Sequence, residues 1–146
     1  MVWLEPRMSL NRDSHRPDQY VALIADDEAT IRNTLRLALE SVGFFVLTAS
    51  DGKEALRILR KFARTIDILV SDIVMPKVDG VALYKQVRRE RPTMKVLLIS
   101  AYVNAPLDGV PFLRKPFHLD TFRKRVREIL VLSVGPTEVD AGEEWY

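Results

Sequence analysis

Short apolar runs alternate with amphipathic segments along most of the chain. Residues 20–25 form a continuous apolar run of the length expected for a strand that is buried on both faces of a sheet. Similar, largely apolar runs lie at 44–48, 66–71 and 94–99, and a shorter one lies at 112–114. The pattern therefore predicts five strands.

The segments between these strands carry apolar residues at the spacing of a helix. A first helix is predicted from about Ile31 and is ended by Gly43, a second begins after Asp51, and a third spans 81–89. A last helix, from about Leu119, buries its apolar stripe. We expect it to expose four basic side chains, those of Arg123, Lys124, Arg125 and Arg127.

This alternation of strands and helices predicts an α/β fold with a parallel sheet that helices cover on both faces. Because crossovers between parallel strands are right-handed, few arrangements of five strands remain. We expect a flavodoxin-like doubly wound sheet of order 2-1-3-4-5, which places a ligand crevice at the carboxyl ends of strands 1 and 3. The domain is expected at 19–132, between a flexible leader at 1–18 and a C-terminal tail at 133–146.

Composition narrows the classes of function. A chain of 146 residues with 47% hydrophobic and 29% charged residues fits one globular domain, and a net charge of +2 gives no reason to expect nucleic acid. The absence of cysteine excludes disulfides and thiolate ligands, and the two histidines are too scattered to form a metal site. Because neither a membrane span nor a signal peptide is recognisable, we expect a cytoplasmic protein that binds no membrane.

Five polar side chains stand at the ends of the predicted strands. Asp26 and Asp27 follow strand 1, Asp72 ends strand 3, Ser100 ends strand 4 and Lys115 follows strand 5. We expect these groups to converge, because the carboxyl ends of parallel strands meet at one edge of the sheet. Three converging carboxylates repel one another unless a cation neutralises them, and an all-oxygen ligand set suits Mg²⁺. The added amine and hydroxyl favour an anion at the same place, such as a phosphoryl group on a carboxylate.

Four motifs occur in the same order as in a known family. They are Ile-Ala-Asp-Asp-Glu at 24–28, Val-Ser-Asp-Ile-Val-Met-Pro at 70–76 followed by Asp-Gly at 79–80, Ser-Ala at 100–101, and Lys-Pro-Phe at 115–117. One such motif has little specificity, whereas four in order are highly specific. With these motifs, residues 19–132 resemble the receiver domain of the response regulators of two-component signal transduction.

The resemblance implies a role for the acidic residues. Asp72 is implied to be the phosphoacceptor. Mg²⁺ is implied to be bound by Asp26, Asp27, Asp72 and the backbone carbonyl of Val74. Without the resemblance, the acidic pair after strand 1 could equally be a helix N-terminus favoured by the helix dipole.

The resemblance also implies how the switch operates. Lys115 is implied to contact the phosphoryl group, and its bond to Pro116 is often cis in the family. Ser100 is implied to be the switch hydroxyl that moves toward the phosphoryl group, although a plain strand-end hydroxyl is an alternative interpretation. Phe112 matches the aromatic residue that turns inward on activation, and a fixed core aromatic is an equally open interpretation.

The function so implied is that of a phosphorylation-controlled signalling switch, a single-domain response regulator without an output domain. It is expected to accept phosphate from a sensor histidine kinase or a histidine phosphotransfer protein, to act on a downstream protein, and not to turn over other substrates.

Other classes of function fit the residues less well. A haloacid-dehalogenase-like phosphatase needs a second Asp two residues after the nucleophile, where this chain has Val74. The intact acceptor, acid pair and lysine disfavour a pseudo-receiver, and the lack of a helix-turn-helix module disfavours a DNA-binding adaptor.

The connection between strands 4 and 5 departs from the family pattern. Only 15 positions separate Ser100 from Lys115, fewer than in most receivers. Pro106 and the Asp-Gly pair at 108–109 break this segment, and Asn104 can cap at most one turn. We therefore expect the family's fourth helix to be short or absent.

Overall fold

The computed structural model describes residues 19–62, 65–101 and 107–131. These residues form the strands β1 (Val21–Ala25), β2 (Phe45–Ala49), β3 (Ile68–Asp72), β4 (Lys95–Ser100) and β5 (Phe112–Arg114). They also form the helices α1 (Ala29–Glu40), α2 (Gly52–Lys61), α3 (Gly80–Glu90) and α4 (Leu119–Val131). All five predicted strands are confirmed, and each of the first four begins one or two residues later than the apolar pattern indicated.

The five strands form one parallel sheet of order β2-β1-β3-β4-β5. This is the flavodoxin-like order predicted from the sequence, and the prediction is confirmed. The register pairs Ala25 with Ala49 on one side and with Ser71 on the other. The carboxyl ends of β1 and β3 are therefore neighbours, and the residues that follow them share one edge of the sheet.

Alternate residues of the strands pack into two separate layers, as a parallel sheet buried on both faces requires. One layer lies beneath α2 and α3 and includes Leu23, Leu69, Leu98, Leu59 and Leu83. The other lies beneath α1 and α4 and includes Ile24, Val70, Ile99, Leu39 and Phe122. Burial on both faces makes the sheet a rigid support for the loops at its edge.

The helix starts are held in two different ways. Asp51 caps α2 by accepting a hydrogen bond from the backbone N–H of Glu54 at 2.8 Å, and Asp79 caps α3 through the N–H of Ala82 at the same distance. The N-cap residue of α1, Glu28, makes no such side-chain bond. The start of α1 therefore depends on contacts made by the loop before it.

Two glycines allow the loop between β3 and α3 to lie against the helices that flank it. A Cβ at Gly80 would overlap the backbone carbonyl oxygen of Asp72, and a Cβ at Gly52 would overlap the carbonyl oxygen of Val78. The first turns of α2 and α3 can therefore touch the backbone of this loop only because both residues lack a side chain.

Some predicted features lie wholly or partly outside the described residues. The leader at 1–18, the tail at 133–146 and residues 102–106 of the short connection are among them. The described residues around that connection, 101 and 107–111, contain bends and a turn, and no helix lies among them. No helix in the described part of the chain is long and apolar enough to cross a membrane.

The prediction that α4 exposes all four of its basic side chains is wrong for Arg125, which is only 3% exposed. Arg125 lies three residues after Phe122 and four before Ile129, so it falls on the inner face of the helix with both. Within the described residues, its nearest acidic partner is Glu128, with 4.0 Å between Nη1 and Oε1, and its Nε has no hydrogen-bond partner there. Burial lowers the pKa of this guanidinium from its ordinary value.

Replacing Arg125 by Met should leave the free energy of unfolding unchanged or raise it by about 1 kcal/mol. The substitution keeps most of the apolar length and removes a buried charge that is poorly paired. Urea unfolding of both proteins measures the difference. Lys124→Met, at an exposed position of the same helix, is the matched control and should change stability by less than about 0.5 kcal/mol. A loss of more than about 1 kcal/mol in Arg125→Met would contradict the expectation.

Candidate functional site

Three carboxylates meet at the edge of the sheet where β1 and β3 end. Asp26 and Asp27 directly follow β1, and Asp72 is the last residue of β3. One oxygen of each carboxylate lies within 4.8 Å of one oxygen of the other two. Asp26 is buried, Asp72 is nearly so, and Asp27 is exposed. The cluster is therefore open to solvent on the side of Asp27.

The loop that carries Asp26 is fixed by hydrogen bonds at both of its ends. The backbone N–H of Asp26 donates to the carbonyl of Ala49 at 3.1 Å, which ties the loop to β2. Its Oδ1 accepts from the N–H of Glu28 at 2.9 Å, and its backbone carbonyl accepts from Nη1 of Arg32 at 2.8 Å. Its Oδ2 lies 3.7 Å from Nζ of Lys115.

Lys115 joins the cluster from the far side of the sheet. Its Nζ lies 3.5 Å from Oδ2 of Asp72 and 3.7 Å from Oδ2 of Asp26. The backbone N–H of Lys115 donates to the carbonyl of Ser100 at 2.8 Å, and the Lys115–Pro116 bond is cis. The end of β5 thus aims this side chain across β4 toward the ends of β1 and β3.

The remaining predicted residues lie around this group at different depths. Ser100 is the last residue of β4 and is buried. Val74, two residues after Asp72, is 57% exposed, so its apolar side chain points into solvent. Phe112 begins β5 opposite Leu98, and it packs half-buried against the core layer beneath α2 and α3. Its movement on activation stays a prediction.

Burial makes two of the carboxylates harder to ionise. The pKa of Asp26 is raised from 3.8 to about 6. Burial is the largest cause, and the charges of Asp72 and Asp27 act in the same direction, whereas the Glu28 N–H and Lys115 oppose the shift. Burial also raises the pKa of Asp72, although Lys115 acts in the opposite direction. At Asp26, the positive charge of Lys115 therefore does not offset the combined effect of burial and the neighbouring carboxylates.

The donor set fits a hard divalent cation. It consists of carboxylate oxygens close enough together to share one ion, without histidine or cysteine nitrogen or sulfur. Bound positive charge would also favour the ionised form of Asp26, whose pKa is raised by burial and by the neighbouring carboxylates. This acidic cluster is of the kind that receiver domains use to bind Mg²⁺.

Two residues near the site have no signal in the sequence pattern. Arg32 lies among the polar residues of the first helix, where nothing indicates that its side chain reaches back to Asp26. Lys77 has a positive φ of 70° and places its Nζ 3.5 Å from Oδ2 of Asp51, the cap of α2. In each case the end of a long basic side chain contacts a backbone carbonyl or a helix cap. A linear motif does not reveal such contacts.

Comparison with known proteins identifies one family. The family model described as the response regulator receiver domain matches residues 22–127. The sensor kinase CckA of Brucella abortus (strain 2308) is 37% identical over 115 residues, which are 74% of this chain and 12% of the kinase. The chain also spans less than half of the length of seven further curated relatives.

Comparison with solved structures identifies the same family. The crystal structure of a receiver domain from the hybrid histidine kinase CckA is 40% identical with a TM-score of 0.68, over 75% of this chain and 98% of that one. A chain of the CheX-CheY-BeF3-Mg+2 complex from Borrelia burgdorferi is 30% identical with a TM-score of 0.71, over 77% of this chain and 90% of that one. The second structure contains Mg²⁺.

The stability of the metal-free protein should fall as the pH rises from about 4 to about 6. A carboxyl with a raised pKa holds its proton more tightly in the folded chain than in the unfolded one, so its ionisation destabilises the fold across the window between 3.8 and about 6. Asp26→Asn should remove most of this slope and raise the free energy of unfolding at neutral pH by about 3 kcal/mol.

Urea unfolding in the presence of a chelator, at several pH values, measures this slope. Asp108→Asn, at an exposed position away from the cluster, removes the same charge and should leave the slope of the wild type in place. Equal slopes in Asp26→Asn and in the wild type would show that Asp26 is not the group responsible.

Proposed function

This chain belongs to the response regulator receiver family, and on that premise we propose that it is a phosphorylation-controlled signalling switch whose phosphoacceptor is Asp72. Receiver domain proteins are phosphoacceptor switches and not turnover enzymes. The observation that carries the proposal is the convergence of Asp26, Asp27 and Asp72 at one sheet edge, with Lys115 beside two of them. The receiver domain is proposed to span 19–132.

The proposed phosphoryl donor is a phosphohistidine of a sensor histidine kinase or of a histidine phosphotransfer protein. A carboxylate oxygen of Asp72 forms the new bond to phosphorus, the bond between phosphorus and the histidine nitrogen breaks, and the departing imidazole takes up a proton. The position of Asp72 supports this role, because it ends a fully buried strand beside the ammonium group of Lys115. Lys115 then holds the oxygens of the phosphoryl group.

Mg²⁺ is the proposed cofactor of this transfer. Asp26, Asp27 and Asp72, with the backbone carbonyl of Val74, hold it. When bound, Mg²⁺ supplies positive charge to the phosphoryl oxygens as negative charge develops on them. The presence of Mg²⁺ in the related CheX-CheY-BeF3-Mg+2 complex supports the assignment.

The proposed output is a change at the end of β4 and the start of β5. Ser100 moves its hydroxyl toward the phosphoryl group, and Phe112 follows by turning inward. The burial of Ser100 at the strand end and the half-buried position of Phe112 support this proposal. The signal leaves through a protein partner, as the pairing of CheX with CheY in the related complex suggests.

Incubation with Mg²⁺ and a small acyl phosphate should add one phosphoryl group to the wild-type protein. Asp72→Asn should abolish the added mass, because the amide is not a nucleophile under these conditions. Intact-mass spectrometry after rapid quenching measures the result. Asp79→Asn is the matched control, because it makes the same chemical change at another aspartate and Asn can still cap α3. This variant should still be phosphorylated. Phosphorylation that persists in Asp72→Asn would refute the assignment.

The affinity for Mg²⁺ should depend on Asp27. Asp27→Ala removes one of three carboxylates from a site that leaves several positions to water, so the dissociation constant should rise by about tenfold or more. Isothermal titration calorimetry in the absence of phosphate measures it. Glu28→Ala removes an equal charge from the next, exposed position and should have a much smaller effect. Equal affinity in Asp27→Ala and in the wild type would exclude Asp27 as a ligand.

A further inference from the structure

The loop that presents Asp26 and Asp27 is held by a small set of hydrogen bonds, one of which ties the backbone N–H of Asp26 to β2. The helix that follows it, α1, has no side-chain hydrogen bond at its N-cap residue, Glu28, in contrast to α2 and α3. Within the bend, the N–H of Glu28 is satisfied by Oδ1 of Asp26. One carboxylate oxygen of a proposed ligand is therefore already engaged in holding the backbone.

Arg32 supplies a further contact that holds this bend. Its backbone N–H donates to the carbonyl of Glu28 at 2.9 Å as part of α1. Its guanidinium reaches back and donates to the backbone carbonyl of Asp26 at 2.8 Å. The residue thus connects the first turn of α1 to the last residue before Asp27, and it is anchored at both ends of the bend.

We propose that Arg32 is a positioning residue of the cation site, an inference that rests on the proposed function. Its hydrogen bond fixes the backbone of Asp26, so that the Asp26 carboxylate does not have to hold the loop alone while it also binds a cation. Arg32 touches neither the cation nor the phosphoryl group in this role. It acts through the backbone that orients Asp26 and Asp27.

Electrostatics alone predicts the opposite effect of removing this residue. A guanidinium close to a cation site repels the cation, so the loss of its charge should tighten Mg²⁺ binding. Loss of a positioning contact should weaken it, because the two carboxylates then sample orientations that do not bind. The sign of the change in affinity therefore separates a positioning role from a bystander charge.

The test uses three variants of the full chain. Arg32→Met removes the donors and the charge but keeps the apolar length, and Arg32→Lys keeps the charge and one donor. Arg36→Met is the matched control, because Arg36 lies one turn further along α1 and pairs with Glu40 on the surface. Calorimetry gives the Mg²⁺ dissociation constant, thermal unfolding in chelator gives the stability, and intact mass gives the extent of phosphorylation.

We expect Arg32→Met to raise the Mg²⁺ dissociation constant by about tenfold, at the lower end of the effect seen when a supporting contact of a metal ligand is lost. Arg32→Lys should recover most of the affinity, Arg36→Met should match the wild type, and all three should unfold near the wild-type temperature.

An unchanged or lower dissociation constant in Arg32→Met, or an equal increase in Arg36→Met, would overturn the inference while leaving the proposed function intact. A wild-type protein that neither binds Mg²⁺ nor accepts phosphate would overturn the proposed function itself, and this inference with it.

Discussion

The repulsion among three carboxylates at one edge of a buried sheet is the constraint on which the rest of the site depends. In water these groups would move apart, but Asp26 and Asp72 are attached to the ends of adjacent strands whose two faces are packed. The packed core holds them together, and the pKa of Asp26 is raised to about 6, first by burial and to a smaller extent by the charges of Asp72 and Asp27. A bound cation would reduce the repulsion among these carboxylates, so the site favours binding one.

Some of the surrounding contacts offset the negative charge of the carboxylates, and others hold the backbone that carries them. Lys115 offsets part of the negative charge from the side of β5, whereas Arg32 and the N–H of Glu28 hold the bend that carries Asp26. Asp27 has neither burial nor a strand to hold it, since it is exposed at the open side of the cluster. Its orientation follows from the backbone on either side of it, and the hydrogen bond from Arg32 to the carbonyl of Asp26 is part of what holds that backbone.

The sequence was sufficient to predict the parts of the molecule that follow from periodicity. Buried strands are continuous apolar runs, and the residues after them must share an edge in a parallel sheet, so Asp26, Asp72 and Lys115 could be placed together in advance. The burial of Arg125 was not predicted, although its spacing from Phe122 and Ile129 puts it on the inner face of α4, because a charged side chain is ordinarily expected on the exposed face of a helix. Arg32 was missed because a bond from a side chain to a backbone carbonyl leaves no pattern of residue types.

Gly52 and Gly80, which contact the backbone of the loop after Asp72, limit the substitutions that this protein can accept during evolution. Position 78 touches α2 through its carbonyl oxygen as well as its side chain, and the carbonyl is common to every residue type. Substitutions at position 78 can therefore change the side chain while the contact of its carbonyl oxygen with α2 persists. Positions 52 and 80 cannot vary in this way, because any residue other than glycine adds a Cβ that would overlap backbone atoms. Substitutions should therefore be tolerated more often at position 78 than at positions 52 and 80, the first residues of α2 and α3.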